Sequence, residues 1–213
     1  EVAGKDLTKV RNLKITGQIN SRDFAVMRFK MDRLGALNMK EVIIVAGDGG
    51  DLGEIGTGYG PNEADEIPNN ALNGKESLVS LVLPDQLRKI GGETGGGRGA
   101  FFGCVNLSGS LTIPEGVVEI GPSAFNECTS LTGSLTLPST LTTIETGAFK
   151  YCESLTTITI PANVTSIGSD AFEDCESLLS IRITNSTVSI GEDAFSGCEN
   201  LAIYAPAGSY AET

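Results

Sequence analysis

Between Ala71 and the end of the chain, apolar and polar positions recur with a fixed beat. In "LTTITIPANVTSIGSDAFEDC", Leu155, Ile158 and Ile160 point one way while Thr157 and Thr159 point the other. This is the period-two pattern of a half-buried strand. Pro161 ends the ladder because it has no N–H to donate. Val164 and Ile167 form a second short inward run, and Gly168 is placed to make a turn. Ala171, Phe172 and Cys175, spaced by one and three, then suit a short helical turn facing inward.

The Ala-Phe pair opens every copy of this phrase, at Ala100, Ala124, Ala148, Ala171 and Ala194, with spacings of 24, 24, 23 and 23. A sixth, degenerate copy begins at Ala71 as "ALNGKESLVSLVLP", with Leu72 for Phe and Lys75 for Cys. Before Ala100, "GGETGGGRG" inserts about six residues. A fixed period of this length predicts a solenoid, in which each unit buries its apolar face only against its neighbours. Equivalent strands of stacked units should then lie about 4.8 Å apart as a parallel sheet.

The beginning of the chain differs. Phe24, Met27, Met31 and Leu34 repeat at helix spacing, with Asn20 or Ser21 available as N-cap. Strand-like "LKITG" precedes this helix and "EVIIVAG" follows it. An open solenoid end exposes core, so residues 1–46 are read as an N-terminal α/β cap. Residues 47–70 read as a glycine-rich acidic loop and residues 71–213 as the repeats. The fold class expected is an α/β repeat of about six units.

The phrase L-x-x-I-x-I-P-x-x-V-x-x-I-G-x-x-A-F-x-x-C, met from Leu155 to Cys175, resembles the BspA-like leucine-rich repeats of bacterial surface proteins. "LKITGQINSRDF" resembles the segment that precedes such repeats, and "IYAPAGSYAE" is similar to their closing motif. The resemblance implies a leucine-rich-repeat solenoid, secreted or on the outer cell surface and often lipid-anchored. It implies adhesion to, or recognition of, a host or neighbouring-cell protein or glycan, and it carries no catalytic residues. The chain starts at Glu1 with no Met, so a trimmed form is expected, with any lipid anchor on the removed N-terminus. The repeats depart from the pattern at the insertion, at Glu145 for the turn Gly, at Thr184 for Pro and at Thr187 for Val.

Composition narrows the partners. With 15 Lys+Arg against 27 Asp+Glu, the net charge of −12 disfavours phosphate backbones and anionic lipid heads. There is no His, which removes the commonest general base and metal ligand and rules out the Ser-His-Asp triad. No apolar run approaches the ~20 residues of a membrane-spanning helix.

The remaining candidates are weighed by their residues. Cys104, Cys128, Cys152, Cys175 and Cys198 hold the same place in successive units and form an inward column. They read as small buried hydrophobes, with disulfides between neighbours the alternative and a metal site disfavoured. Gly92 to Gly97 has the glycine spacing of a phosphate loop, but Arg98 and Gly99 stand where Lys and Ser/Thr are needed. The carboxylates of Asp48, Asp51 and Glu54 lie among glycines, giving a solvated loop or, alternatively, a calcium site. No cofactor is expected.

The outward positions of successive strands are Ser80 and Val82, Ser110 and Thr112, Ser134 and Thr136, Thr157 and Thr159, Ser180 and Arg182. Hydroxyls suit any exposed strand. Solenoids also commonly present this surface to partners, so these positions, Val82 aside, are the candidate ligand-binding face. The face lacks the aromatics that anchor tight interfaces, which points to weak, multivalent contact. The leading expectation is a non-enzymatic interaction protein; a structural spacer or coat component is the alternative.

Overall fold

The structure is a computed structural model that describes residues 6–47, 62–91 and 98–207. The Asp48–Glu54 run and the Gly92–Gly97 glycines lie outside the described residues.

The chain runs through β1 (Asn12–Ile19), the helix α1 (Ser21–Lys30), β2 (Ala36–Ile44), β3 (Glu66–Ile67), β4 (Ser80–Val82), β5 (Lys89–Ile90) and β6 (Glu119–Ile120). It continues through β7 (Gly133–Leu135), β8 (Thr143–Ile144), β9 (Leu155–Ile160), β10 (Ser166–Ile167), β11 (Ser180–Ile183), β12 (Ser189–Ile190) and β13 (Ala202–Tyr204). All pairing between these strands is parallel. One face begins with β1-β2-β4 and ends with β7-β9-β11-β13. Bridges Gly109↔Leu131 and Thr112↔Thr136, with the bond from Ser108 N to Val79 O, join the two halves. The second face is a six-stranded sheet of two-residue strands, from β3 to β12. The result is a parallel solenoid of about eight turns.

The third side is closed by the Ala-Phe turns, which bond from level to level as well. Phe149 N donates to Ala171 O and Phe172 N to Ala194 O, each at 2.8 Å. Within a turn the bonds run back three residues, as from Cys152 N to Phe149 O, so these are tight turns rather than α-helices. Their phenylalanines stack. Phe101, Phe125, Phe149, Phe172 and Phe195 follow at centroid spacings of 5.1–5.7 Å with planes within 10° of parallel. Beside them each thiol donates to the Phe (or Leu72) carbonyl of the preceding level, from Cys104 to Leu72 O at 3.3 Å through Cys198 to Phe172 O at 3.2 Å. The column is therefore polar as well as apolar. Each thiol adds a weak second donor to a carbonyl that already accepts a backbone N–H of its own turn.

Two details differ from the sequence expectations. Gly168 does not act through turn geometry: a Cβ there would lie 2.4 Å from Thr146 N, and one on Gly121 only 1.8 Å from Gly91 O. These glycines let one level approach the backbone of the level before it. The left-handed residues sit two positions later, at Ser123, Gly147, Asp170 and Asp193, with φ of 52–61°. Glu145 takes the close-approach position in the unit whose left-handed residue is Gly147.

The second difference is at the departure from proline. Pro84, Pro114, Pro138 and Pro161 each accept a bond from the N–H three residues on. In the unit with Thr184, Asn185 instead accepts from Thr187 N and donates to Val164 O, at 2.9 and 2.8 Å. This Asx turn moves the buried slot by one residue, so Val188 fills it and Thr187 is exposed.

At the N-terminal side, β1 and β2 lie in the same sheet as β4, in register at Asn12, Ala36 and Ser80. The helix α1 starts with a capping box, Asn20 accepting from the backbone and Asp23 Oδ2 accepting from Asn20 N at 2.9 Å. Its far end meets the degenerate copy. Lys75, where other copies have Cys, donates its amine to Arg28 O at 3.0 Å. Within the stretch read as loop, β3 pairs with β5 and buries Ile67. "EIPNNAL" there has the same form as "EIGPSAF" at Glu119–Phe125.

Candidate functional site

Register fixes the outer face residue by residue. Ser134, Thr157, Ser180 and Ala202 are aligned across β7, β9, β11 and β13, and Thr159, Arg182 and Tyr204 form a second row beside them. Thr112 and Thr136 are bridged in the same direction. At the other end of the face Asn12, Ala36 and Ser80 align, as do Lys14, Asn38 and Val82. The inward row between them, Leu135, Ile158 and Ile181, is buried. Strand alternation thus leaves short hydroxyls outside because branched aliphatics must be inside.

The structure does not spread the nine candidate residues evenly. Ser134, Thr136, Thr157 and Thr159 come together in a groove of about 510 Å³, walled on one side by the post-proline turns at Glu115, Ser139, Pro161 and Thr184. Ser134 Oγ and Thr157 Oγ1 are 2.5 Å apart, so the hydroxyl that donates keeps its lone pairs, and the one that accepts keeps its O–H, for a partner. The Glu115 carboxylate accepts from Ser139 N and Oγ at 3.3 and 3.1 Å. The groove therefore presents hydroxyls beside one fixed anionic acceptor. Thr136 and Thr159 are exposed and Thr157 is half-buried.

Arg182 belongs to a second hollow of about 470 Å³ with Tyr204 and Pro206. Tyr204 is 58% exposed and corrects the expectation of a face without aromatics. Ser80 lines a third hollow of about 440 Å³ with Asn12, Lys14, Asn38 and Val82. Ser110, Thr112 and Ser180 lie on the same face between these hollows and line none of the three. The polar residues Asn12, Lys14 and Asn38 were missed because the N-terminal segment was read as separate from the repeats. Their signal was the likeness of "ALNM" to "SLVL" in strand pattern. Tyr204 escapes the sequence reading because its segment resembles a closing motif rather than a strand.

The cysteine column offers no reactive group at its centre. Burial pushes the Cys104 thiol up to about 12 and moves Cys128 and Cys152 upward as well, so the neutral form persists at physiological pH. Among the described residues no group of three or more His, Cys, Asp or Glu side chains is placed to hold a metal. No helix among them is long and apolar enough to cross a membrane.

Stacked short parallel strands closed by Ala-Phe turns define a leucine-rich-repeat solenoid. The chain belongs to the BspA type leucine rich repeat family, whose model matches residues 65–202 in 6 copies. It is similar to the leucine-rich repeat protein TpLRR of T. pallidum, 33% identical over 66% of this chain and 62% of that one, with a TM-score of 0.55. A leucine-rich repeat protein from Bacteroides ovatus shares the fold at 20% identity over 96% of this chain and 57% of that chain, TM-score 0.57. The chain thus spans about six tenths of the length of each. No curated protein matched the sequence. The family is generally non-enzymatic and typically associated with bacterial surfaces.

Proposed function

We propose that this chain is a recognition protein of a bacterial outer surface or secreted fraction, binding a protein or glycan ligand along its hydroxyl-lined sheet face. The groove of Ser134, Thr136, Thr157 and Thr159 carries this reading. It is the largest of the hollows described above along that face, and its lining of small donors and acceptors suits hydroxyl-rich or main-chain ligands. Its hydroxyl lining and the generally non-enzymatic character of the family favour binding over turnover.

The affinity of one groove is modest. Shallow hydroxyl surfaces lack the buried aromatic and arginine anchors of tight interfaces. Dense display would raise the effective strength by about 10²–10⁴ if several copies engage together. Arg182 with Tyr204 supplies one stronger anchor at the C-terminal side.

A panel of matrix proteins, mucins and polysaccharides probed with the purified chain tests the proposal. Saturable binding to a member of the panel, lost in Thr136→Glu/Thr159→Glu at unchanged melting temperature, is expected. Saturation of no member would leave the spacer reading in its place.

A further inference from the structure

Two of the hollows on the sheet face adjoin. Thr184 lines the groove of about 510 Å³ and also the hollow of about 470 Å³ that holds Arg182 and Tyr204. Together they form one trough that crosses the strands and so runs along the axis of the solenoid. Thr136, Thr159, Arg182 and Tyr204, all exposed, stand along it on four successive levels, the last three in parallel register. Three steps of about 4.8 Å make this row about 14 Å long.

The lining selects against most polymers. Glu115 and Arg182 are the charged residues among those described along the trough, and their signs cancel. On a chain of net charge −12, an acidic polymer gains nothing there. An extended peptide binds a sheet chiefly by pairing with an edge strand, but β9 and β11 beneath the trough are already paired on both sides. A folded protein surface needs several apolar anchors, and Tyr204 is the one aromatic among the described lining residues.

A ligand with hydroxyls at every step and no charge fits what remains. In a linear polysaccharide each pyranose advances the chain by about one strand spacing, so successive sugars meet successive levels. The threonine hydroxyls can both donate and accept. The Glu115 carboxylate, held by Ser139 N and Oγ at 3.3 and 3.1 Å, keeps further lone pairs for a vicinal diol. Arg182 offers a fork of donors to sugar oxygens, and Tyr204, 58% exposed, offers a flat ring to the C–H face of a sugar.

We propose, resting on the reading of the sheet face as the binding surface, that its ligand is a linear, uncharged polysaccharide. It lies along the solenoid axis with about one sugar over each level from Thr136 to Tyr204. Acidic polymers and proteins are not its ligands.

Isothermal titration calorimetry of the purified chain tests this with gluco-, manno- and xylo-oligosaccharides of graded length, beside heparin and a panel of matrix proteins. In at least one neutral series, affinity should rise about tenfold or more from dimer to tetramer and level off beyond it. It should not change between about 0.01 and 0.15 M salt. Tyr204→Ala and Arg182→Ala, at exposed positions, should each weaken tetramer binding about tenfold or more at unchanged melting temperature. Should a variant melt early, the length dependence of the parent chain still decides. Saturable binding of a matrix protein that Thr136→Glu/Thr159→Glu loses, with no oligosaccharide bound, would overturn the polysaccharide and leave the sheet face as the recognition surface. Oligosaccharide binding that survives both that double variant and Tyr204→Ala would overturn both. Tighter binding of heparin than of every neutral series, or no neutral series binding at about 10 mM, would also overturn the proposal.

Discussion

Phe149 is the sharpest probe of the core. It is fully buried and stacks between Phe125 and Phe172, both at 5.4 Å, with planes within 6° of parallel. Its truncation to Ala removes the ring's transfer energy and leaves a cavity that backbone bonds on either side prevent from collapsing. Such Phe→Ala changes cost about 3–5 kcal/mol. Two lost stacking contacts, each about 0.5–1.5 kcal/mol beyond burial, place this one at the upper end of that range. Phe195 has a single neighbour among these rings, Phe172 at 5.7 Å, and is partly exposed. Phe195→Ala should therefore cost well under half as much. In thermal unfolding followed by circular dichroism, about 2–4 °C per kcal/mol for a chain of this size gives a fall of about 6–20 °C for Phe149→Ala. Because levels couple only to their neighbours, that variant should also unfold less cooperatively, with a lower urea m-value. A Phe149→Ala protein that melts like the parent, or a Phe195→Ala protein that loses as much, would refute the continuous column.

Other outcomes follow from the same contacts. Gly168→Ala should destabilise by about 1–3 kcal/mol in urea unfolding, because the new Cβ meets Thr146 N and forces two levels apart. Lys75→Ala should loosen α1 from the first repeat, seen as faster amide exchange in residues 21–30, since it removes the amine that Arg28 O accepts. The neutral buried thiols give a pH dependence of definite sign. Their folded-state pKa is raised, about 12 for Cys104, so their stabilisation is complete below the unfolded value of about 8.5 and is lost as pH rises above it. Urea unfolding between pH 8 and 10 should show stability falling, with a mean slope about 1 kcal/mol per pH unit shallower in Cys152→Ala than in the parent.

The repeat was legible because a solenoid writes its core directly into the period. The residues read as inward, Leu155, Ile158, Ile160, Phe172 and Cys175, are buried. What escaped is what depends on the level before. Gly168 looks like a turn glycine until the backbone of Thr146 is seen against it. Tyr151 and Asp174, at φ of 59° and 55°, occupy left-handed positions that only a neighbouring copy with glycine, such as Gly103 or Gly197, would betray. The hydroxyl face was readable from alternation. Its gathering into a groove was not, since that depends on how the post-proline turns of Glu115 and Ser139 fold over the strand ends.

The central claim is that the sheet face is the recognition surface. The most direct measurement titrates the first ligand that the panel yields against three proteins: the parent, Thr136→Glu/Thr159→Glu on that face, and Thr165→Glu at an exposed position beside β10 on the other sheet. With all three melting alike, the account predicts saturable binding to the parent and to Thr165→Glu, and its loss in the double variant. Binding that survives Thr136→Glu/Thr159→Glu and disappears with Thr165→Glu would contradict it.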